Sequence, residues 1–193
     1  QNHSLILTGH SLGGALASLA AAQTVKIGRC SVSQVKLYTF GQPRVGTYQF
    51  SKNFDDLGIE SYRIVHGSDA VPALPPCKKN KKIPANVNGA RACLAQLDEN
   101  YHHGTEIWYP HNMTGGSVFI ECLGSPKNED FSCSNSLNFT MENNEYHLWD
   151  HRRYFDVSLS NFGKSGCINL TRRDPPEKSK WFKVIDILWD FFD

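Results

Sequence analysis

The residues of this chain that could do chemistry are a serine set among glycines, an aspartate beyond an apolar run and several late histidines. The serine is Ser11, within Gly9-His10-Ser11-Leu12-Gly13. A serine hydroxyl is a poor nucleophile near neutral pH. It needs a base within hydrogen-bond reach and donors for the oxyanion that forms. Gly-x-Ser-x-Gly between an apolar strand and a helix is the pattern of a nucleophile elbow, a tight turn that lifts the hydroxyl above a sheet edge. In that reading Gly9 and Gly13 keep Cβ atoms out of the turn, and Gly14, Ala15 and Ala17 let the helix pack closely. The Leu12 N–H would stand at a helix N-terminus, unpaired and suited to negative charge. The plainer reading is a glycine-rich turn with a chance serine.

An orienting acid and a base should follow in the order Ser, Asp, His. Asp69 stands just past a predicted strand, where functional groups of open α/β sheets converge. It fits a turn-forming aspartate equally well on spacing alone. The later histidines are His102, His103, His111, His147 and His151, and position does not choose among them. His147 and His151, four apart, would share a helical face and could hold a metal. No glutamate stands where a zinc-hydrolase helix needs one and no third ligand is evident, so neither a metal nor a cofactor is expected.

These residues need a scaffold, and the patterning supplies one. Ser4–Thr8 reads as a buried strand, Leu12 to about Val25 as a helix, and Val35–Gly41 as a second strand. Thr47–Gly58 reads as a helix stopped by Gly58, and Ser61–Gly67 as a third strand. Strand–helix–strand alternation implies parallel strands with crossover helices, an α/β sheet. The prolines of Val71–Pro76 break the pattern. A polar loop runs from Cys77 to Cys93. Gly104–Pro110 and Ser117–Cys122 read as short strands joined as a hairpin, followed by a loop from Cys122 to Cys133. Residues 143–155 read as a turn and a helix. Trp181, Ile185, Leu188 and Phe192 recur near helical spacing, as in an amphipathic helix packed on the body.

The 193 residues have the length of one domain. With 20 Lys+Arg against 19 Asp+Glu, the near-balance argues against a nucleic-acid binder. The cluster Lys78, Lys79, Lys81 and Lys82 reads as a solvated loop. No apolar run has the ~20 residues of a membrane span, and no signal peptide is visible. Six cysteines, with Asn-x-Ser/Thr sequons at Asn2, Asn112, Asn138 and Asn169, favour a secreted protein.

Four blocks, LTGHSLGGALASLAA, YTFGQPRVG, YRIVHGSDAVPALPP and the late DHRRYF, together resemble the class 3 lipases, filamentous-fungal-type triacylglycerol lipases with an α/β-hydrolase fold; HHGTEIWY is a looser fifth block. The likeness is dense over the first 76 residues, with a nematode-type flavour overall. The resemblance implies Ser11 as nucleophile, Asp69 as acid and His151 as base. Two residues separate His151 from Tyr154 and Phe155, as in the family's frame, although Arg152 and Arg153 fill positions where the family usually has an apolar residue. His147 does not fit that frame. Leu12 would supply one oxyanion donor. The resemblance also implies a Cys122–Cys133 bridge, and Cys77–Cys93 would close a loop that looks like an insertion. Cys30 and Cys167 stay unassigned, paired with each other or with cysteines elsewhere. Set against the family, the chain reads as the C-terminal portion of one α/β-hydrolase domain. The first strands, the lid and the second oxyanion donor are expected ahead of Gln1, and residues from about 171 to 193 form a helical extension. Its substrate would be a lipid ester at a lipid–water interface. A feruloyl-type esterase or a phospholipase shares these blocks, and a catalytically idle lipid-binding homologue is the alternative of another class.

Overall fold

The computed structural model describes residues 3–139 and 144–167. The chain divides into two compact units, Gln1–Asp156 and Val157–Asp193. The first holds, in order, β1 (Leu5–His10), α1 (Leu12–Lys26), β2 (Val35–Phe40), β3 (Gly46–Thr47), α2 (Tyr48–Asp56), β4 (Glu60–His66), β5 (Asn100–Tyr101), β6 (Thr105–Tyr109), β7 (Ile120–Cys122), α3 (Asn144–His151) and β8 (Arg153–Tyr154). The described part of the second is β9 (Val157–Ser158) and α4 (Leu159–Lys164), ending at an exposed Cys167. The expected C-terminal helix, the extension from about residue 171, Asn2 and Asn169 lie outside the described residues. Among the described residues no helix is long and apolar enough to cross a membrane.

The central sheet has the order β1-β2-β4-β6-β7. Its first four strands are parallel, with Gly9 beside Thr39 and Phe40 beside Ile64. β7 returns antiparallel against β6, so the expected hairpin forms, but its second strand is only Ile120–Cys122. β3 and β5 make a separate two-residue pairing.

Alternation along the strands sorts side chains to the two faces. Val35 and Leu37 of β2 pack with Ala17 and Ala21 of α1 and Phe54 of α2. Tyr38 and Phe40 point the other way and pack with Ile64, Met113 and Tyr154. The buried face of α1 is Gly14, Ala15, Ala17, Ser18 and Ala21. Side chains this small bring the helix close to the sheet, which fixes where its first turn, and so Ser11, can lie. Thr47 caps α2 by accepting the Phe50 N–H at 3.4 Å. Gly58, at φ +75°, ends it in the left-handed conformation that glycine tolerates.

Candidate active site

β1 runs two residues further than its apolar pattern suggested, to His10, and α1 begins at Leu12. Ser11 alone makes the turn, at φ 56° and ψ −129°. Such a backbone costs a non-glycine residue roughly 1–3 kcal/mol and persists only where the surroundings impose it. Here Ser11 N–H donates to Phe40 O at 2.9 Å, while Gly14 N–H donates to Ser11 O at 2.9 Å. A Cβ on Gly9 would lie 2.2 Å from Gly13 O, so the turn closes only on glycine. Gly13 itself would carry a Cβ into open space. The reading that both glycines are sterically required is therefore corrected: Gly13 contributes its carbonyl to the crowding, and its own α-carbon faces outward. Leu12 is the first helical residue, and its N–H has no acceptor four residues back.

Asp69 lies three residues beyond β4 and is buried. His151 ends α3. His151 Nδ1 lies 3.0 and 2.9 Å from the two Asp69 oxygens, and Nε2 lies 3.0 Å from Ser11 Oγ. A carboxylate only accepts, so Nδ1 carries the proton and Nε2 is left to accept from the serine hydroxyl. Asp69 also accepts from Val71 N–H at 2.8 Å and from the Tyr154 hydroxyl at 2.7 Å. Burial, and the adjacent Asp69 charge, hold the Tyr154 phenol well above its ordinary pKa, so it stays a donor. Gly41, at φ +57°, closes the other side: a Cβ there would lie 2.6 Å from Asp69 Oδ2 and 3.0 Å from His151 Nδ1.

The segment carrying His151 is sewn to the loop carrying Asp69. His147 Nδ1 donates to Ser68 O at 2.9 Å. Asp150 accepts from the Ser68 N–H and hydroxyl at 2.7 and 2.9 Å. His66 Nδ1 donates to Arg153 O at 2.7 Å. His10 adds a tie, donating from Nε2 to His151 O at 2.7 Å with the two rings 4.5 Å apart. Burial, then the electrostatic influence of the His151 ring, hold His10 below the ordinary imidazole range. His147 Nδ1 and the two ring nitrogens of His151 thus go to separate partners, while His147 Nε2 is buried without one.

Sequence reasoning did not single out His10, Gly41, Asp150 or Tyr154 for the site. All four stood inside the motifs already noted, but nothing in a one-dimensional pattern shows a hydrogen bond spanning 85 residues, as from Tyr154 to Asp69. His102 and His103 lie elsewhere and are buried; His102 Nδ1 donates to Glu129 at 2.9 Å. His111 is exposed. Disulfides join Cys77 to Cys93 and Cys122 to Cys133, while Cys30 and Cys167 carry none. Asn112 and Asn138 are both exposed.

Parallel strands delivering a strained serine to a helix, with an acid after a later strand and a histidine bridging the two, define an α/β-hydrolase fold. Residues 1–79 match the family model for class 3 lipases. The chain is 44% identical over 183 residues to a lipase of Caenorhabditis elegans, an alignment covering 93% of this chain and 52% of that protein. It superposes on the crystal structure of a lipase from Rhizopus microsporus var. chinensis with TM-score 0.60 at 30% identity, covering 80% of this chain and 44% of that one. A triacylglycerol lipase described as having a serine-protease triad as its catalytic centre aligns with TM-score 0.57 at 32% identity, over 81% of this chain and 49% of that one. The chain belongs to the class 3 lipase family. It spans about half the length, 52%, of its nematode relative.

Proposed function

We propose that the protein carrying this chain is a serine hydrolase that cleaves the carboxylic esters of lipids, with triacylglycerols as its substrate class. The observation that carries this reading is the continuous hydrogen-bonded relay from Ser11 through His151 to Asp69. Ser11 Oγ attacks the ester carbonyl as its proton passes to His151 Nε2. Asp69 keeps the imidazole in the Nδ1–H tautomer and stabilises the imidazolium. The tetrahedral oxyanion takes a hydrogen bond from the Leu12 N–H at the start of α1. Collapse breaks the ester C–O bond, and the alcohol leaves with the proton from His151. Water, deprotonated by His151, then attacks the acyl carbonyl and restores the Ser11 hydroxyl.

The scaffold is read as the C-terminal portion of one α/β-hydrolase domain. In support, the outer edge of β1 has no strand partner among the described residues, and Ile6 of β1 and Leu16 and Leu19 of α1 are exposed. Two disulfides support maturation in the secretory pathway, with glycan attachment at Asn112 and Asn138. Ser11→Ala tests the reading. Hydrolysis of a soluble short-chain ester should fall by about 10⁴-fold or more, with an unchanged circular dichroism spectrum. Retained hydrolysis would sink the assignment, and absence of hydrolysis in the unmutated protein would favour an idle lipid-binding role.

A further inference from the structure

The loop closed by the Cys77–Cys93 disulfide carries Lys78, Lys79, Lys81, Lys82 and Arg91 and no carboxylate, in a chain whose net charge is only +1. Lys78 pairs with Glu99 at 3.1 Å. Arg91 Nη1 donates to Ile83 O at 2.7 Å. Lys79, Lys81 and Lys82 have no ion-pair partner among the described residues. Like charges gathered in one closed loop repel one another, and an anionic surface would offset that repulsion.

Charge is only half of the pattern. Gly89 N–H donates to Asn86 O at 2.9 Å, closing a turn with Val87 at its tip. Turn tips favour Gly, Asn, Asp, Pro and Ser for their backbone freedom or local hydrogen bonds. A β-branched valine has neither advantage, yet Val87 is fully exposed, and Ile83, four residues earlier in the same loop, is exposed as well. The loop holds this shape firmly. Asn86 Oδ1 accepts from Asn88 and Ala90 N–H at 3.0 Å each, its Nδ2 donates to Ser136 O at 2.7 Å, and Lys79 pairs with Cys93 across the loop's base.

The loop is rooted on the rim that carries the triad. Parallel strands β2 and β4 end on one edge of the sheet, and Asp69 follows β4 there. Arg44, four residues beyond β2, donates to Ala73 O at 2.5 Å and Pro75 O at 3.0 Å, pinning the chain between Asp69 and Cys77.

We infer that the Cys77–Cys93 loop docks the protein on an anionic lipid surface, Lys79, Lys81 and Lys82 meeting acidic headgroups while Val87 and Ile83 enter the interface. The proposal rests on the lipid-ester reading above and names the kind of surface on which that substrate lies. A basic apolar-tipped segment is held to lipid by both charge and burial. A soluble polyanion would use the charge alone.

The test is co-flotation of the intact protein with vesicles of phosphatidylcholine, with or without phosphatidylserine. Binding should require phosphatidylserine and be largely lost near 1 M salt, where the screening length is about 3 Å. Each lysine should contribute about fivefold, so Lys81→Gln with Lys82→Gln should weaken binding about 25-fold. Val87→Ser should weaken it about tenfold. All three positions are exposed, and soluble-ester hydrolysis should be unchanged in both variants. Equal binding of the double variant, or equal binding to neutral vesicles, would overturn the proposal. Binding unaffected by Val87→Ser would indicate a polyanion site and overturn it too. Soluble-ester hydrolysis missing from the unmutated protein would sink the enzyme reading while leaving the vesicle result to stand by itself.

Discussion

Gly41→Ala isolates what the close approach at the site is worth. Gly41 has φ +57°, where an L-residue costs roughly 1–2 kcal/mol. Its added Cβ would also lie 2.6 Å from Asp69 Oδ2, 2.9 Å from the Tyr154 hydroxyl and 3.0 Å from His151 Nδ1. Those are hydrogen-bonded polar atoms, so relief requires moving Asp69 and His151 themselves. Gly28 is the matched control: φ is +69° and a Cβ there meets nothing within 4 Å. Both alanine variants should lose the backbone term. At about 2–4 °C per kcal/mol for a chain of this size, that is a fall in Tm of roughly 2–8 °C. Only Gly41→Ala should lose catalysis, since a misplacement of about 1 Å can cost about 10²-fold. The assay is kcat on a soluble short-chain ester beside a thermal melt. A Gly41→Ala enzyme with undiminished kcat would refute the argument that this contact shapes the triad. An equal loss in Gly28→Ala would show that general destabilisation explains it.

Tyr154→Phe removes one donor from the Asp69 carboxylate while keeping the ring among Phe40, Ile64 and Met113. A hydrogen bond to a charged group is worth about 1.5–3 kcal/mol, so kcat should fall at least tenfold, and an unchanged kcat would show that the phenol does not act on the acid. Stability should decline as pH falls below about 6.5, because burial, and for His102 and His103 the nearby Arg63 charge, lower the pKa values of these two rings, His102 to about 3. The sign follows from proton uptake: between the lowered folded values and 6.5 the unfolded chain binds protons that the folded chain refuses, at about 1.4 kcal/mol per pH unit for each histidine. His103 has both ring nitrogens buried without a hydrogen-bond partner, between Phe50 and Phe54. His103→Phe should therefore hold or raise Tm at pH 7.5 and recover about 2 kcal/mol of the loss by pH 5. Melts with the same pH slope as the unmutated protein would show that His103 is not one of the groups responsible.

The second core of buried polar groups shows why part of this protein was unreadable in one dimension. Glu129 takes Arg44 in a two-point pair at 2.7 and 2.8 Å and His102 at 2.9 Å. Burial alone would raise the Glu129 carboxyl; its His102 and Arg44 partners outweigh that and hold it well below the ordinary range. Arg44 sat in a recognised block and Glu129 in an unremarkable loop. A charged residue in sequence looks solvated until its partner arrives, here from 85 positions away.

What the sequence by itself determined is local. An apolar strand followed by Gly-x-Ser-x-Gly and an alanine-rich helix can only make a tight strand-to-helix turn, because the glycine, the serine and the small helical face leave no other close packing. The strand–helix alternation likewise set the parallel sheet. Among the histidines, spacing left five open, and resemblance selected His151. Its placement against both Ser11 and Asp69 belongs to the tertiary structure, as do the Tyr154 hydroxyl on Asp69 and the crowding at Gly41. These are contacts between residues far apart in the chain, fixed by how α3 and β8 pack on the β4 loop, and periodicity carries no information about such distances.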